Sequence, residues 1–187
     1  PQDRSSAASD VYKRQSVSNG GALFFDEQDF DGVEFIVDQG GTLEFGAGTT
    51  VTTAEDSLVA VTLLSNDATF INAGDLLATN EGSTAINVLG DNAVIQNTGT
   101  IAAMGDMTAA ITFAGNQATV VNTGTISGTA NAIVGTDGSD IVLNAGTIQG
   151  DVDLGAGDDI FMQTASGTLS SNVIGGDGVD SFSIILG

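Results

Sequence analysis

Three short segments rich in glycine and aspartate are the residues of this sequence best suited to chemistry. They span 135–140, 154–159 and 175–180, and each ends in an aspartate two positions after a glycine. Calcium takes about six to eight oxygen ligands, and glycine-rich turns expose backbone carbonyls beside carboxylates. We therefore predict a Ca²⁺ site formed by the aspartates of these turns: Asp137, Asp140, Asp158, Asp159, Asp177 and Asp180.

The spacing of the three segments predicts that their last aspartates stack. Asp140, Asp159 and Asp180 are separated by 19 and 21 residues. Carboxylates about 4.8 Å apart repel by roughly 1 kcal/mol in water and by about 3.5 kcal/mol at an effective dielectric constant of about 20, which favours a bound cation. The alternative is a solvated acidic turn whose glycines only supply a positive φ.

The elements that must position these turns are indicated by a second pattern, the phrase Asn-x-Gly-x-(Ile/Leu). Its four copies begin at Asn72, Asn97, Asn122 and Asn144, in steps of 25, 25 and 22 residues. A fixed period of this size is typical of a solenoid, in which each repeat packs on its neighbours. We predict that these asparagines form a ladder in which each amide donates to the next carbonyl, and that they occupy left-handed corners of the backbone.

Between successive asparagines, the sequence predicts three short strands separated by three turns. In the repeat after Asn97 the strands are expected at 100–103, 109–114 and 118–121. Three short strands and three tight turns in about 25 residues are typical of one coil of a parallel β-helix. The sequence therefore predicts an all-β fold: a single right-handed parallel β-helix of about six coils, with three short strands per coil.

The chain divides into three regions by composition. Residues 1–15 have mixed charge, lie outside the repeat and resemble a translated sequencing-adapter leader, so we interpret them as a non-native or disordered leader. Residues 16–45 contain five of the nine phenylalanines and are predicted to form an atypical N-terminal coil or cap. Residues 46–187 hold the β-helix repeats, and because they stop in mid-strand we interpret them as truncated at the C-terminus.

The charge of the chain after position 15 limits its partners. All three basic residues lie within the first 14 positions, whereas 22 of the 24 acidic residues lie after position 15. Such a surface repels phosphate, which excludes nucleic acid as a partner and disfavours an anionic membrane surface. The sequence has no run of about 18 apolar residues, so we expect no membrane insertion of this segment. Soluble cations, above all calcium, are the favoured partners.

The composition also argues against an enzyme. The sequence has no His, and no Lys or Arg after position 14, so it lacks a cationic base for a lyase and an activator for serine. Glycosidase chemistry needs two carboxyl groups that flank a cleft. Asp151, Asp153, Asp158 and Asp159 could supply such a pair, but alternation along the coil predicts that they are outward turn residues. We expect no catalytic residues and no organic cofactor, and a glycan-degrading β-helix enzyme is the third functional alternative.

Two stretches, 97–101 and 144–159, resemble passenger domains of Gram-negative autotransporters, and the resemblance covers about residues 42–186. It implies a right-handed parallel β-helix that is secreted or held at the bacterial cell surface. It also implies an adhesive or structural role, with a surface receptor, a glycan or a matrix component as partner. The family further implies an outer-membrane β-barrel in the full-length protein.

The segment 175–182 is similar to the nonapeptide G-G-x-G-x-D-x-U of RTX repeats, and the segments 154–161 and 135–142 match it with one glycine replaced. This second resemblance implies calcium-binding turns. In RTX proteins the nonapeptides run in tandem, whereas here there is one motif per coil. A calcium-binding RTX-like module of a secreted protein is therefore the second functional alternative.

Overall fold

The structure is a computed structural model that describes residues 13–17, 20–53, 56, 58–106 and 108–186. Within this part of the chain all regular elements are β-strands. The described residues contain no helix long and apolar enough to cross a membrane. The strands, in chain order, are β1 (Lys13–Val17), β2 (Ala22–Phe25), β3 (Asp29–Asp31), β4 (Val33–Val37), β5 (Thr42–Phe45), β6 (Thr50–Thr52), β7 (Val59–Leu63), β8 (Thr69–Asn72), β9 (Asp75–Ala78), β10 (Thr84–Val88), β11 (Val94–Asn97), β12 (Thr100–Ala103), β13 (Ala109–Phe113), β14 (Thr119–Asn122), β15 (Thr125–Val134), β16 (Ile141–Asn144), β17 (Thr147–Asp153), β18 (Ile160–Thr164), β19 (Thr168–Leu169), β20 (Val173–Ile174) and β21 (Ser181–Ile185).

Successive strands form coils that stack in parallel. One coil consists of β7, β8 and β9, and the next places β10, β11 and β12 directly beside them. The middle strand of every coil belongs to one sheet of eight strands, β2-β5-β8-β11-β14-β16-β18-β21, and the other strands belong to a second sheet. The strands predicted at 100–103, 109–114 and 118–121 agree with β12, β13 and β14 to within one residue. The predicted all-β parallel solenoid with three strands per coil is confirmed.

The solenoid has about eight coils, one for each strand of the eight-stranded sheet, where the sequence predicts about six. The difference arises at the N-terminal end of the described residues. There β1, β2 and β3 pair in parallel with β4, β5 and β6, although these coils carry no copy of the asparagine phrase. Residues 1–12, which make up most of the predicted leader, lie outside the described residues.

Alternation along each strand builds the core of the solenoid. In the eight-stranded sheet, inward residues stack in register from Leu43 through Phe70, Ile95 and Val120 to Val142, and all five are buried. Burial of each such side chain stabilises the fold by roughly 1.5–3 kcal/mol. A slip of one residue would turn the whole set outward, so the apolar alternation fixes the register of the coils.

The first coils are filled by an aromatic cluster. Phe25, Phe30, Phe35, Phe45 and Phe70 contact their neighbours edge to face, with ring centroids 5.0 to 5.4 Å apart. Such contacts each contribute about 0.5–1.5 kcal/mol beyond the burial of apolar area. The phenylalanines that obscure the repeat in the sequence therefore form the core of the N-terminal coils.

The glycine of the repeat phrase lies at a close approach between two coils. A Cβ atom at Gly99 would overlap the carbonyl oxygen of Gly74 one coil earlier, and one at Gly124 would overlap that of Gly99. The predicted left-handed backbone at the asparagines of the phrase is wrong. Four of the five left-handed non-glycine residues in the described ranges lie instead in the turn between the first two strands of a coil, as Asp67 and Asn92 do. Hydrogen bonds hold the asparagine corner.

Candidate metal centre at the aspartate corner

The middle strands of four coils end in a buried ladder of asparagine side chains. Asn72 Nδ2 donates to Asn97 Oδ1 at 2.9 Å, Asn97 Nδ2 to Asn122 Oδ1 at 2.8 Å, and Asn122 Nδ2 to Asn144 Oδ1 at 2.9 Å. The first three amides also donate to the carbonyl oxygen of the glycine two positions on, at 3.1 to 3.3 Å. The predicted ladder is confirmed, and an amide suits it because one side chain offers both a donor and an acceptor.

The ends of the asparagine ladder were not predicted from the sequence. β18 places Gln163 beside Asn144, and Asn144 Nδ2 donates to Gln163 Oε1 at 3.4 Å, so the ladder reaches one coil beyond the last phrase. At the other end, Asn72 Oδ1 is buried without a hydrogen-bond partner. The reason is that Phe45, which has no polar side-chain atom, holds the equivalent position in the preceding coil.

The turn between the first two strands of a coil lies at the surface in the coils before residue 130. Asp91 N donates to Asn66 Oδ1, and Asn116 N donates to Asp91 Oδ1, both at 2.8 Å. Asn116 Nδ2 also donates to Asp91 Oδ1, at 3.0 Å. The backbone N–H of Asn116, and then its side-chain amide, hold the pKa of Asp91 below its ordinary value.

From residue 135 onward the same turn takes its glycine-rich form. Gly138 and Gly178 both have a φ of 143°, in a region that glycine adopts far more readily than other residues. Asp137, Ala156 and Asp177 pair through their backbones as parallel bridges from one coil to the next. The three turns therefore stack on one another, as their spacing predicts.

The last aspartate of each glycine-rich turn points toward the interior of the solenoid. Asp140 and Asp159 are 1% and 0% exposed, and Asp180 is half-buried. Ala118 N donates to Asp140 Oδ1 at 2.8 Å, Asp140 N to Asp159 Oδ1 at 2.7 Å, and Asp159 N to Asp180 Oδ1 at 3.1 Å. These three residues, which we call the aspartate ladder, stack as the sequence predicts.

The burial of Asp140 and Asp159 contradicts the alternative of a solvated acidic turn, and it contradicts the prediction that Asp159 faces outward. The two aspartates directly precede a strand of the eight-stranded sheet. Ala68, Ala93 and Ala118 hold the same position in earlier coils, and all three are buried. The sequence signal for the burial of the two aspartates is their alignment with these alanines. They do not align with the residues of the surface turn.

Burial leaves the aspartate ladder short of partners. Asp159 Oδ2 is buried and accepts no hydrogen bond. Desolvation raises the pKa of Asp140 from the ordinary 3.8 to about 7. The hydrogen bond from Ala118 N lowers this pKa, and the negative charge of Asp159 raises it further. Desolvation also raises the pKa of Asp159, and the charges of Asp180 and Asp158 add to it. No Lys, Arg or His follows position 14, so neutralisation of these carboxylates requires a proton or a bound cation.

The other three aspartates predicted for the metal site lie away from the ladder. Asp137, Asp158 and Asp177 are exposed on the outside of the turns, and Asp158 Oδ1 accepts from Val179 N at 2.9 Å. Within the described ranges, no three carboxylate side chains converge as they would in a cage built from side chains alone. The structure thus stacks Asp140, Asp159 and Asp180 one coil apart, and it separates them from the other three.

The carboxyl groups considered for glycan hydrolysis do not face one another across a cleft. Asp158 is exposed, whereas its neighbour Asp159 is buried. On β17, Asp151 Oδ1 accepts from Asn172 N at 3.0 Å, and Asp153 Oδ1 accepts from Gly155 N at 3.3 Å. These two carboxylates therefore help to hold the backbone of the adjoining turns.

Comparison of the chain with protein-family models, with curated proteins and with solved structures finds no match. The functional conclusions below therefore rest on the fold, on the two buried ladders and on the charge of the surface.

Proposed function

We propose that the chain is a rigid segment of a secreted or cell-surface protein with an adhesive or structural role. The observation that carries this proposal is the unbroken parallel stack of the eight-stranded sheet from β2 to β21. Each coil packs on the next through a continuous core, and eight strands at about 4.8 Å make a rod about 34 Å long. Such a rod presents long, flat outer faces to a receptor, a glycan or a matrix component.

Adhesion of beads that carry the full chain tests this role. The beads are passed over surfaces coated with neutral glycans, acidic glycans or matrix proteins, and their retention under flow is measured. The control is Gly99→Val, whose side chain would overlap the carbonyl oxygen of Gly74 and disturb the stacking of the coils. Retention that requires the intact solenoid supports the adhesive role. Equal retention of both proteins, or retention on none of the surfaces, contradicts it.

A second function, calcium binding, is favoured by the position of one carboxylate oxygen. Asp159 Oδ2 is buried and unpartnered, inside a ladder that no basic side chain neutralises. We infer that Asp159 and a carboxylate one coil away, that of Asp140 or Asp180, hold a Ca²⁺ ion together with carbonyl oxygens of the glycine-rich turns, because calcium prefers carboxylate and carbonyl oxygens. The ion supplies the positive charge that the buried carboxylates lack. The segment would then serve as a calcium-binding module of a secreted protein.

Calorimetry and thermal melting of the full chain test the calcium site. We expect heat on titration with Ca²⁺ and a melting temperature that rises at millimolar Ca²⁺, and we expect Asp159→Asn to lose both responses. The matched control is Asp91→Asn, in the surface turn of an earlier coil, which should keep both. A wild-type chain that gives no heat and no change in melting temperature contradicts this proposal.

We infer that the chain has no catalytic activity, because its neighbouring carboxyl groups are either buried or engaged by the backbone. Incubation with a panel of neutral and acidic glycans, followed by detection of new reducing ends, tests this inference. Activity that disappears in Asp158→Asn and persists in Asp106→Asn, an exposed aspartate of an earlier coil, would establish a glycan-degrading enzyme instead.

A further inference from the structure

The outer surface of the eight-stranded sheet is free of charge over five consecutive coils. It is formed by the first and third residues of β8, β11, β14, β16 and β18, and we call it the neutral face. Seven of these ten side chains are aliphatic, and none is ionisable. One column of it consists of Ile71, Gln96, Val121, Leu143 and Met162, in register from coil to coil.

The neutral face contains two shallow grooves. One groove, of about 380 Å³, has Ile141 and Ile160 in its lining together with the amide side chains of Asn92 and Gln117. The other, of about 200 Å³, lies over the column that contains Leu143. The surface therefore combines an aliphatic floor with neutral hydrogen-bonding groups, as is usual for ligand sites that recognise uncharged polar molecules.

The charge of the molecule selects the kind of ligand that this face accepts. Residues 16–187 carry 22 acidic residues and no basic one, so an anionic partner is repelled as it approaches. A cationic partner finds no counter-charge on the neutral face itself. The one ionisable side chain in the lining of the grooves is Asp158, and its Oδ1 already accepts from Val179 N. An uncharged ligand escapes the repulsion that an anionic partner meets, and it matches ten outward side chains of which none is ionisable.

The size of the face argues against a folded protein as the ligand. Five strands at about 4.8 Å, each about four residues wide, give a strip of about 24 Å by 13 Å, or about 300 Å². A stable protein–protein interface, including one between two copies of this chain, needs about 800 Å² on each partner. A narrow, straight strip of this area instead suits a linear chain molecule that lies along the axis of the solenoid.

We propose that the neutral face binds an extended, uncharged polysaccharide. The C–H faces of its sugar rings pack on the aliphatic columns, and its hydroxyl groups exchange hydrogen bonds with Asn92, Gln117 and Thr119. This proposal rests on the adhesive role proposed above and names the class of ligand. Because the strands of the face carry no aromatic outward residue, each site binds weakly, and several chains on one surface are needed for firm attachment.

Affinity electrophoresis of the full chain tests the proposal. The chain migrates through native gels that contain a soluble neutral glucan, mannan or galactan, or an acidic polysaccharide of similar length. Val121→Glu places a charge in the centre of the face, and Gln96→Glu does so at an exposed position that contributes little packing. Thr100→Glu is the matched control, because Thr100 is half-buried on β12, outside the eight-stranded sheet. Melting temperatures confirm that each variant is folded.

We expect at least one neutral polysaccharide to retard the wild-type chain and Thr100→Glu, with retardation at least fivefold weaker for Val121→Glu and Gln96→Glu. Retardation by no neutral polysaccharide overturns the proposal, and so does retardation that both face variants retain. Self-association that Val121→Glu abolishes, without polysaccharide binding, would assign the face to a second copy. If beads carrying Val121→Glu still adhere, the adhesive role stands and uses another surface.

Discussion

Two buried ladders run along the solenoid, one of asparagine side chains and one of aspartate side chains. An amide inside the first ladder donates to the next amide and accepts from the previous one, as Asn97 does between Asn72 and Asn122. Each carboxylate of the second ladder accepts from a backbone N–H, which leaves Asp159 Oδ2 with no donor. Both ladders stack at the same coil spacing, so the chemistry of the side chain is what distinguishes them.

One part of a solenoid can therefore satisfy its own polar groups while another part depends on solution conditions. The amide ladder is neutral, and it completes its own hydrogen bonds except at Asn72 Oδ1, where it begins. In the carboxylate ladder Asp159 Oδ2 is an acceptor without a donor, and the ladder places negative charge in a desolvated corner. The coils that contain Asp140 and Asp159 should therefore respond to protons and cations, whereas the coils of the asparagine ladder should not.

Replacement of a central asparagine by aspartate should have the largest effect, because it converts one ladder into the other. In Asn97→Asp the donor to Asn122 Oδ1 is lost and a carboxylate is buried in its place. We expect the free energy of unfolding to fall by about 3–5 kcal/mol at pH 7, measured by urea denaturation. Gln96→Glu, an outward change of the same type on the same strand, should cost less than about 0.5 kcal/mol. Equal losses would refute the buried amide ladder.

The pH dependence of stability should reveal the aspartate ladder in the presence of a chelator. The pKa of Asp140 is about 7 in the folded chain and lies near 3.8 when exposed, so the folded state binds the proton more tightly. The stabilisation that the protonated Asp140 side chain gives to the folded state is complete below about pH 4, and it is lost as the pH rises through about 7. We expect the free energy of unfolding to fall by about 2–4 kcal/mol over this range. If Asp140→Asn showed the same pH dependence of the free energy of unfolding as the wild-type chain, Asp140 could not be its cause.

Removal of the buried charge should stabilise the chain when no calcium is present. Asp159→Asn keeps an oxygen for Asp140 N and places an amide where Oδ2 has no donor. We expect the free energy of unfolding to rise by about 1–3 kcal/mol at pH 8 in chelator. Asp91→Asn, at a surface carboxylate that already accepts from Asn116, should change it by less than about 0.5 kcal/mol. A loss of stability in Asp159→Asn would show that its charge is well compensated.

A substitution at Gln163, at the C-terminal end of the asparagine ladder, should change the stability least. In Gln163→Leu the acceptor for Asn144 Nδ2 is lost, but that amide keeps the carbonyl oxygen of Thr168 at 3.1 Å. We expect a loss of about 0.5–1 kcal/mol in urea denaturation. A loss as large as that of Asn97→Asp would mean that Gln163 is a full member of the ladder.

The fold was predictable because the two features that determine it, the coil repeat and the alternation of apolar residues, are both periodic in the sequence. The 25-residue steps between Asn72, Asn97 and Asn122 give the coil, and alternation of apolar residues gives the strands to within one residue. The number of coils was underestimated because phenylalanines fill the first coils in place of the repeated phrase. Aromatic packing of this kind, as between Phe35 and Phe45, leaves no periodic signal.

The candidate site was only partly predictable. The motif spacing predicts which aspartates stack, since Asp140, Asp159 and Asp180 recur once per coil. It does not predict the direction of their side chains, because a turn residue can face either side of the backbone. The register of the strand that follows decides this, and it places Asp159 where Ala93 and Ala118 lie in earlier coils.

Hydrogen exchange resolved along the full chain, in Ca²⁺ and in chelator at pH 8, compares the two ladders most directly. We expect Ca²⁺ to slow exchange in β16, β17 and β18, which adjoin the aspartate ladder, and to leave β8, β11 and the start of β12 unchanged. No slowing in the first set, or an equal change in both sets, would contradict the proposal that the aspartate ladder binds Ca²⁺ and the asparagine ladder does not.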